Sequence, residues 1–190
     1  KGVHAWGVPE AVVLPRSSSK MIQALPLMES GAAGAFDLTP EHLALACASH
    51  QGAPIHVKKV GTWLDHIGRC DDDFCCGPQT SRDRDLRISM IRAGEEPCRI
   101  HNNCSGKHAG FLTLAKHLDT GPNYVAVDPP VQTACLEAFE RLTDETSPGH
   151  GIDGCSAPNF ACTLHGMAQA LASFSAAANR SPASKLRSPM

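Results

Sequence analysis

The stretch His101–Phe111, which reads His-Asn-Asn-Cys-Ser-Gly-Lys-His-Ala-Gly-Phe, joins a polar turn to an apolar run. The apolar spacing predicts a largely buried helix over Gly106–Leu118. Glycines and polar side chains at the start of a buried helix weaken it, which is typical of a site where backbone approaches a ligand. Cys104 and Lys107 are three positions apart, so their side chains would share a helix face. A single buried cysteine beside an exposed lysine is the simpler alternative.

A serine–lysine motif, Ser17-x-x-Lys20, lies where a predicted strand, Ala11–Leu14, gives way to a predicted helix, Ser17–Ser30. Residues at this spacing share a helix face, and a buried lysine loses its charge easily enough to take a serine proton. The same motif carries the nucleophile of penicillin-recognising enzymes. A serine three positions before a lysine is also common at solvated helix N-termini, so the motif alone does not establish catalysis.

A third stretch, Gly151–Pro158, reads Gly-Ile-Asp-Gly-Cys-Ser-Ala-Pro and is predicted to be a loop. It places Asp153 and Cys155 two positions apart, where glycines permit unusual backbone angles. Loops of this kind often carry site residues. Taken alone, the stretch indicates a turn with a chance cysteine.

The rest of the chain reads as a succession of helices. Pro26 is predicted to kink the helix that follows the serine–lysine motif, and Gly31–Gly34 to end it. Further helices are predicted at Thr39–Cys47, Val57–Ile67, Leu86–Ala93, Pro130–Leu142 and Met167–Ala178. No repeat or linker divides the chain, so we expect one domain over residues 1–178 and a loop-like tail over 179–190.

Composition limits the class of protein. The chain has 190 residues with 42% hydrophobic residues, and its net charge of -2 argues against a nucleic-acid binder. No apolar stretch approaches the roughly 20 residues that span a bilayer, so no membrane association is expected. Nine cysteines cannot all pair, which favours reduced thiols and a cytoplasmic protein. The chain begins at Lys1 rather than at a methionine, and we expect it to start within a longer protein.

Taken together, these stretches resemble the rhizobial-type L-asparaginase family (asparaginase II). The order and approximate spacing of the family's motifs are matched by Pro15–Lys20, Gln23–Leu27, Cys47–His50, His101–Phe111 and Asp153–Phe160. The string at 101–111 is long and specific, whereas the serine–lysine motif is not. The resemblance extends from residue 1 to about residue 178.

The resemblance implies an α+β sandwich similar to the serine β-lactamases and some glutaminases, incomplete here at both ends. Family members hydrolyse the side-chain amide of L-asparagine to L-aspartate and ammonia through two serine–lysine pairs. Ser17 and Lys20 match the first pair, and Ser49 matches the serine of the second. The implied partner is a small-molecule substrate, and a homodimer is the assembly we consider. Asparagine and glutamine present the same amide, so the sequence favours neither.

The resemblance also implies a Zn²⁺ site. Cys104, Lys107 and Cys155 match the family's zinc ligands, with water in the remaining position, and three protein ligands plus an open position are typical of a catalytic zinc. By the same resemblance the candidate substrate-binding residues are Arg16, His108 and Asp153. Because a coordinating lysine must lose its proton, zinc occupancy should fall at acid pH.

The sequence departs from the family in three places. The segment Ser49–Ala53 reads Ser-His-Gln-Gly-Ala where Ser-His-Ser-Gly-Glu is usual. Ser156 and Asn159 stand where glycine and threonine are more usual. The family's lysine for the second serine lies in a C-terminal portion beyond this chain, and Lys185 is not embedded in a matching motif. We therefore expect an N-terminal fragment that is poorly soluble and nearly inactive alone.

Besides an inactive fragment, two other classes of protein compete with an active asparaginase. A penicillin-recognising hydrolase would need Ser-Asp-Asn-like and Lys-Thr-Gly triplets, and the sequence contains neither. A noncatalytic zinc-binding or scaffold protein could draw four ligands from Cys70, Cys75, Cys76, Cys98, His101 and Cys104. Their spacings fit no regular paired-knuckle pattern.

Overall fold

A computed structural model describes residues 4–178, and the predicted tail at 179–190 lies outside the described residues. Short 3₁₀ turns cover Arg16–Ser19, Asp71–Asp73 and Arg99–His101. The helices are α1 (Lys20–Gln23), α2 (Leu25–Glu29), α3 (Ala32–Ala35), α4 (Pro40–Cys47), α5 (Pro54–His66), α6 (Arg84–Ala93), α7 (Ser105–His117), α8 (Pro130–Thr143) and α9 (Leu164–Ala178). The strands are β1 (Val12–Val13), β2 (His150–Ile152), β3 (Pro158–Phe160) and β4 (Cys162–Thr163).

The strands form two small antiparallel sheets. Strand β1 pairs with β4 through Val12 and Thr163, and β2 pairs with β3 through His150 and Phe160. Helices with small sheets agree with the predicted α+β class. None of the helices within residues 4–178 is long and apolar enough to cross a membrane.

Local signals explain where the longer helices begin and end. Thr39 and His42 form a reciprocal cap at the start of α4, where Pro40 occupies the first turn. The Asp83 carboxylate accepts the Leu86 N–H at the start of α6, and Gly94 ends that helix with φ +68°. These helices therefore confirm the sequence predictions to within a few residues.

Two local predictions were wrong, and a third was confirmed only in part. The expected helix over Ser17–Ser30 is instead a 3₁₀ turn followed by α1 and α2. The interruption at Ala24, two residues before Pro26, agrees with the predicted kink at this proline, which has no N–H to donate. Gly31 (φ +85°) ends α2 as predicted, but the next residues do not form a loop, because α3 begins at Ala32. The predicted loop at 151–158 is shorter than expected, since β2 and β3 occupy its ends.

Helix α7 is the centre of the core, and every residue from Ser105 to Ala115 is buried. Gly106 brings it against α4: a Cβ at this position would lie 2.5 Å from the Leu45 carbonyl oxygen. A Cβ added at Gly110 would lie 3.1 Å from Leu27 Cδ1, its nearest neighbour. The glycines thus serve helix packing, and the expectation that they bring backbone to a ligand was wrong. This packing fixes the first turn of α7, which carries the site residues.

Candidate functional site

Lys20 is the most deeply buried charged group near the predicted site. It begins α1, and only 1% of its surface is exposed. Its Nζ donates hydrogen bonds to the Ala48 carbonyl oxygen (2.6 Å) and to Ser49 Oγ (2.8 Å). The structure therefore joins two of the predicted catalytic residues, although 29 positions separate them.

The surroundings of Lys20 shift its titration towards the neutral form. Burial lowers the pKa of Lys20, while the neighbouring Cys104 thiol acts in the opposite direction. The bonds to Ala48 and Ser49 use two N–H groups, and a neutral amine keeps both. Its lone pair then stays available to accept a proton from a third group.

Cys104, Lys107 and Cys155 meet beside Lys20. Cys104 immediately precedes α7, Lys107 lies in its first turn, and Cys155 lies in the β2–β3 loop; all three are buried. Lys107 Nζ donates to Cys155 Sγ at 3.3 Å. A hydrogen bond between the thiols, reinforced by His108 and Lys107, lowers the pKa of Cys155, and the same bond together with burial raises that of Cys104. The two sulfurs remain free thiols.

This cluster uses a lysine as its third possible metal ligand. Among residues 4–178 no group of three or more Cys, His, Asp or Glu side chains is arranged to hold a metal ion. A metal bound at Cys104 and Cys155 would consequently depend on the Lys107 amine, as the sequence predicts. The alternative cysteine–histidine site at residues 70–104 finds no support in this arrangement.

His108 lies behind Cys155 in the protein interior. It is fully buried, and burial lowers the pKa of its imidazole. Its Nδ1 lies 2.9 Å from the Tyr124 hydroxyl. Its Nε2 is buried without a hydrogen-bond partner among the described residues, and the imidazole contributes to the lowered pKa of the Cys155 thiol.

A cavity of about 280 Å³ opens next to the thiols. It contains the predicted Arg16, Ser17, Asp153 and both cysteines; the complete lining is Arg16, Ser17, Pro78, Gln79, Arg82, Asn102, Asn103, Cys104, Asp153, Gly154 and Cys155. Ser17 is exposed, and within the described chain its hydroxyl forms no hydrogen bond, including to Lys20. Lys20 interacts with Cys104 and is bonded to Ser49, but neither Lys20 nor Ser49 lines the cavity, so a pocket shared by all three predicted catalytic residues stays a prediction.

The backbone that presents Ser17 is strained. Arg16 has φ +53°, which is uncommon for a residue other than glycine and occurs where surrounding groups impose it. Its N–H donates to Asn159 Oδ1 (3.2 Å), and its guanidinium lies 3.4 Å from Asp153 Oδ1. The loop after Cys155 also contains Ser156 at φ +69°, a conformation that favours glycine, the residue that the family resemblance implies at this position.

His50 fixes the segment that carries Ser49. Its Nδ1 accepts the Gly52 N–H (3.1 Å), so Nε2 carries the proton and donates to Ser105 Oγ at 2.9 Å. The His50 N–H also donates to the Asn103 carbonyl oxygen. Burial, with the neighbouring His56, lowers the pKa of His50 to about 4, so the ring is neutral at neutral pH.

Some cavity residues could not be recognised from the sequence. Gln79 Oε1 accepts the Asn103 N–H at 2.9 Å, and Arg82 brings a guanidinium to the cavity. Both lie in a segment without regular structure between α5 and α6, where neither periodicity nor a motif marks them. Tyr124 was missed for the same reason. For Arg82 the sequence offers a single signal, a basic side chain in an irregular stretch, and this signal does not specify a site.

The site therefore combines the Ser17 hydroxyl and two thiols at a small cavity with the buried Lys20–Ser49 pair, which does not line it. The family model for L-asparaginase II matches residues 1–190, and the chain belongs to this family. A search of curated proteins gives no match to the chain.

Proposed function

We propose that this protein hydrolyses the side-chain amide of L-asparagine, giving L-aspartate and ammonia, with serine–lysine catalysis. The observation that carries the proposal is the 2.8 Å hydrogen bond between Lys20 Nζ and Ser49 Oγ, formed by a lysine that is almost completely buried. The lysine that the family resemblance implies for Ser49 is expected beyond the chain, and within the chain Ser49 is bonded to Lys20, the lysine of the first pair. Family membership supports amide hydrolysis as the reaction.

Ser17 is the proposed nucleophile, because its hydroxyl is exposed at the cavity and has no hydrogen bond to break. Ser17 Oγ–H gives its proton to the Lys20 lone pair while Oγ attacks the amide carbon. Ser49, already bonded to Lys20, holds the amine in place during this transfer. The carbonyl π-electrons move onto oxygen in the tetrahedral intermediate.

The protonated Lys20 then acts as general acid. It donates its proton to the leaving nitrogen as the carbon–nitrogen bond breaks, which is necessary because an amide anion is a poor leaving group. The product is ammonia and an aspartyl ester at Ser17. Water next gives a proton to Lys20 and attacks the ester carbon, and Ser17 recovers its proton as aspartate leaves.

Cys104, Lys107 and Cys155 are proposed to hold Zn²⁺. Two buried thiols that share a hydrogen bond, with an amine 3.3 Å from one sulfur, form a donor set that suits zinc once they are deprotonated. When bound, the ion would supply positive charge beside the cavity and a position for water. Zinc binding should depend on pH, because each ligand must lose a proton before it coordinates the ion.

Charged groups at the cavity suit an amino-acid substrate. Arg82 and Arg16 are proposed to bind the α-carboxylate, and Asp153 the α-ammonium group. Asp153 Oδ1 is buried without a hydrogen bond and has only the 3.4 Å ion pair with Arg16, so it retains capacity to accept one. His108 does not line the cavity, and it is proposed to act on the Cys155 sulfur rather than on the substrate.

The remaining expectations extend the proposal. The sandwich architecture of serine β-lactamases and glutaminases, one domain over residues 1–178, and a homodimer are proposed on the family resemblance. A reducing cytoplasmic setting is proposed because the nine cysteines are free thiols.

The test is ammonia release from L-asparagine by the purified full chain with added Zn²⁺. Lys20→Met should reduce kcat by at least about 10³-fold, because it removes both base and acid. Lys116→Met is the matched control, since Lys116 also donates to a backbone carbonyl, that of Ile67, but lies elsewhere. A Lys20→Met variant as active as the Lys116→Met control would refute serine–lysine catalysis. A folded, zinc-treated chain that releases no ammonia would favour the alternative of an inactive fragment.

A further inference from the structure

A buried hydrogen-bond chain runs from the backbone of Cys75 through Tyr124 to His108. The Cys75 N–H donates to the Tyr124 hydroxyl oxygen at 2.8 Å, and that oxygen lies 2.9 Å from His108 Nδ1. Both rings are fully buried, with centroids 5.6 Å apart and planes at 70°. The proposed hydrolysis makes no use of Tyr124.

The direction of the second bond follows from a count of donors and acceptors. The tyrosine oxygen already accepts the Cys75 N–H, and its own proton needs an acceptor in the interior. Two candidates are close, His108 Nδ1 and the Cys75 sulfur. Sulfur is a weak acceptor and imidazole nitrogen a strong one, so Tyr124 donates to Nδ1.

A neutral imidazole that accepts at Nδ1 carries its proton on Nε2. In His108 this nitrogen is completely buried and has no hydrogen-bond partner within the described part of the chain. The Cys155 sulfur lies 3.3 Å from the amine of Lys107, the residue before His108, and Cys155 is the group with which the imidazole interacts. We propose that Tyr124 is a positioning residue that holds His108 in the Nε2–H tautomer and thereby aims an N–H at the Cys155 sulfur.

This arrangement has a consequence for metal binding, and that consequence rests on the proposed role of Cys155. A hydrogen bond to a ligand sulfur fixes its orientation and stabilises its anionic form, as outer-shell partners of metal ligands commonly do. The effect of Tyr124 on the Cys155 sulfur is indirect, because Tyr124 contacts His108 and His108 acts on the sulfur. Loss of the hydroxyl should weaken zinc binding about 10-fold, the lower end of the usual range for such partners.

The tautomer is measured directly by ¹⁵N NMR of the histidine side chains in the metal-free full chain. We expect the protonated nitrogen of His108 to be Nε2 in the wild type and the preference to be lost in Tyr124→Phe. A wild-type His108 protonated at Nδ1 would overturn the proposal. This measurement does not depend on zinc, so its failure is distinct from failure of the proposed function.

Zinc titration of the same variants provides the second readout. Thr113→Val is the matched control, because it leaves the buried Trp63 Nε1–H without its acceptor, as Tyr124→Phe does for the Cys75 N–H. We expect an increase in Kd in Tyr124→Phe and an unchanged Kd in Thr113→Val. The sulfur-to-metal charge-transfer band of the Co²⁺-substituted protein should also shift only in Tyr124→Phe. Equal Kd values and spectra in both variants would show that Tyr124 is merely structural.

Discussion

Replacement of Gly106 by alanine tests the packing that holds α7 in place. The added Cβ would lie 2.5 Å from the Leu45 carbonyl oxygen, 2.8 Å from its carbon and 3.1 Å from Leu45 Cβ. Because the first two atoms are backbone, no side-chain rotation relieves the clash. Overpacking of this kind costs about 1–3 kcal/mol or more, whereas alanine gains at most about 1 kcal/mol over glycine in a helix. We expect a net loss of about 1–2 kcal/mol in the free energy of unfolding.

Gly61→Ala in α5 is the matched control. The nearest atom to its new Cβ is Ile100 Cδ1 at 3.5 Å, an ordinary contact, so the helix gain should appear as about 0.5–1 kcal/mol of added stability. Urea unfolding followed by far-UV circular dichroism measures both variants, with unchanged m-values as the condition for comparison. A Gly106→Ala variant as stable as Gly61→Ala would refute the reasoning, and with it the account of how α7 positions Cys104 and Lys107.

Three further outcomes are expected. Because the folded pKa of His50 lies at about 4, below its ordinary 6.5, the unfolded chain binds the extra proton between these values. The free energy of unfolding should therefore fall by about 3 kcal/mol as pH drops through this window, and His50→Gln should show a smaller fall in pH-dependent urea unfolding. Cys155→Ser should abolish stoichiometric zinc binding in a metal assay while Cys70→Ser retains it, and equal stoichiometries would refute the ligand assignment. Arg82→Ala should raise KM for asparagine about 10-fold with a smaller change in kcat, because Arg82 lines the cavity. The control Arg92→Ala, at an exposed position, should leave both constants unchanged in steady-state kinetics. An unaltered KM in Arg82→Ala would show that Arg82 does not bind the substrate.

The sequence predicted the helices better than the contacts between them. Helix α7 was recognisable because its apolar residues recur along one continuous segment. The hydrogen bond between Lys20 and Ser49 was not recognisable, because the two residues are 29 positions apart and no local sequence pattern shows that they meet. The function of Gly106 was misread for a similar reason, because its close neighbour, Leu45, is distant in sequence.

The thiol cluster shows the same division. Cys104 and Lys107 were predicted to share a face from their spacing alone, but their approach to Cys155 came from the family resemblance and is visible only after the β2–β3 loop folds back onto α7. Tyr124 and Arg82 lie in irregular segments, where side-chain direction depends on tertiary packing. For such residues the sequence gives the residue type but does not predict where the side chain lies in the folded protein.

Ser17 is proposed to form a covalent ester with the substrate while Lys20 moves the proton, and the whole reaction scheme depends on this step. The most direct measurement is rapid acid quenching of the full chain during turnover of L-asparagine, followed by peptide mass spectrometry. We predict a mass increase of one aspartyl group on the peptide containing Ser17, lost in Ser17→Ala and absent from the peptide containing Ser49. An aspartyl group on Ser49, or steady ammonia release by Ser17→Ala, would contradict the account.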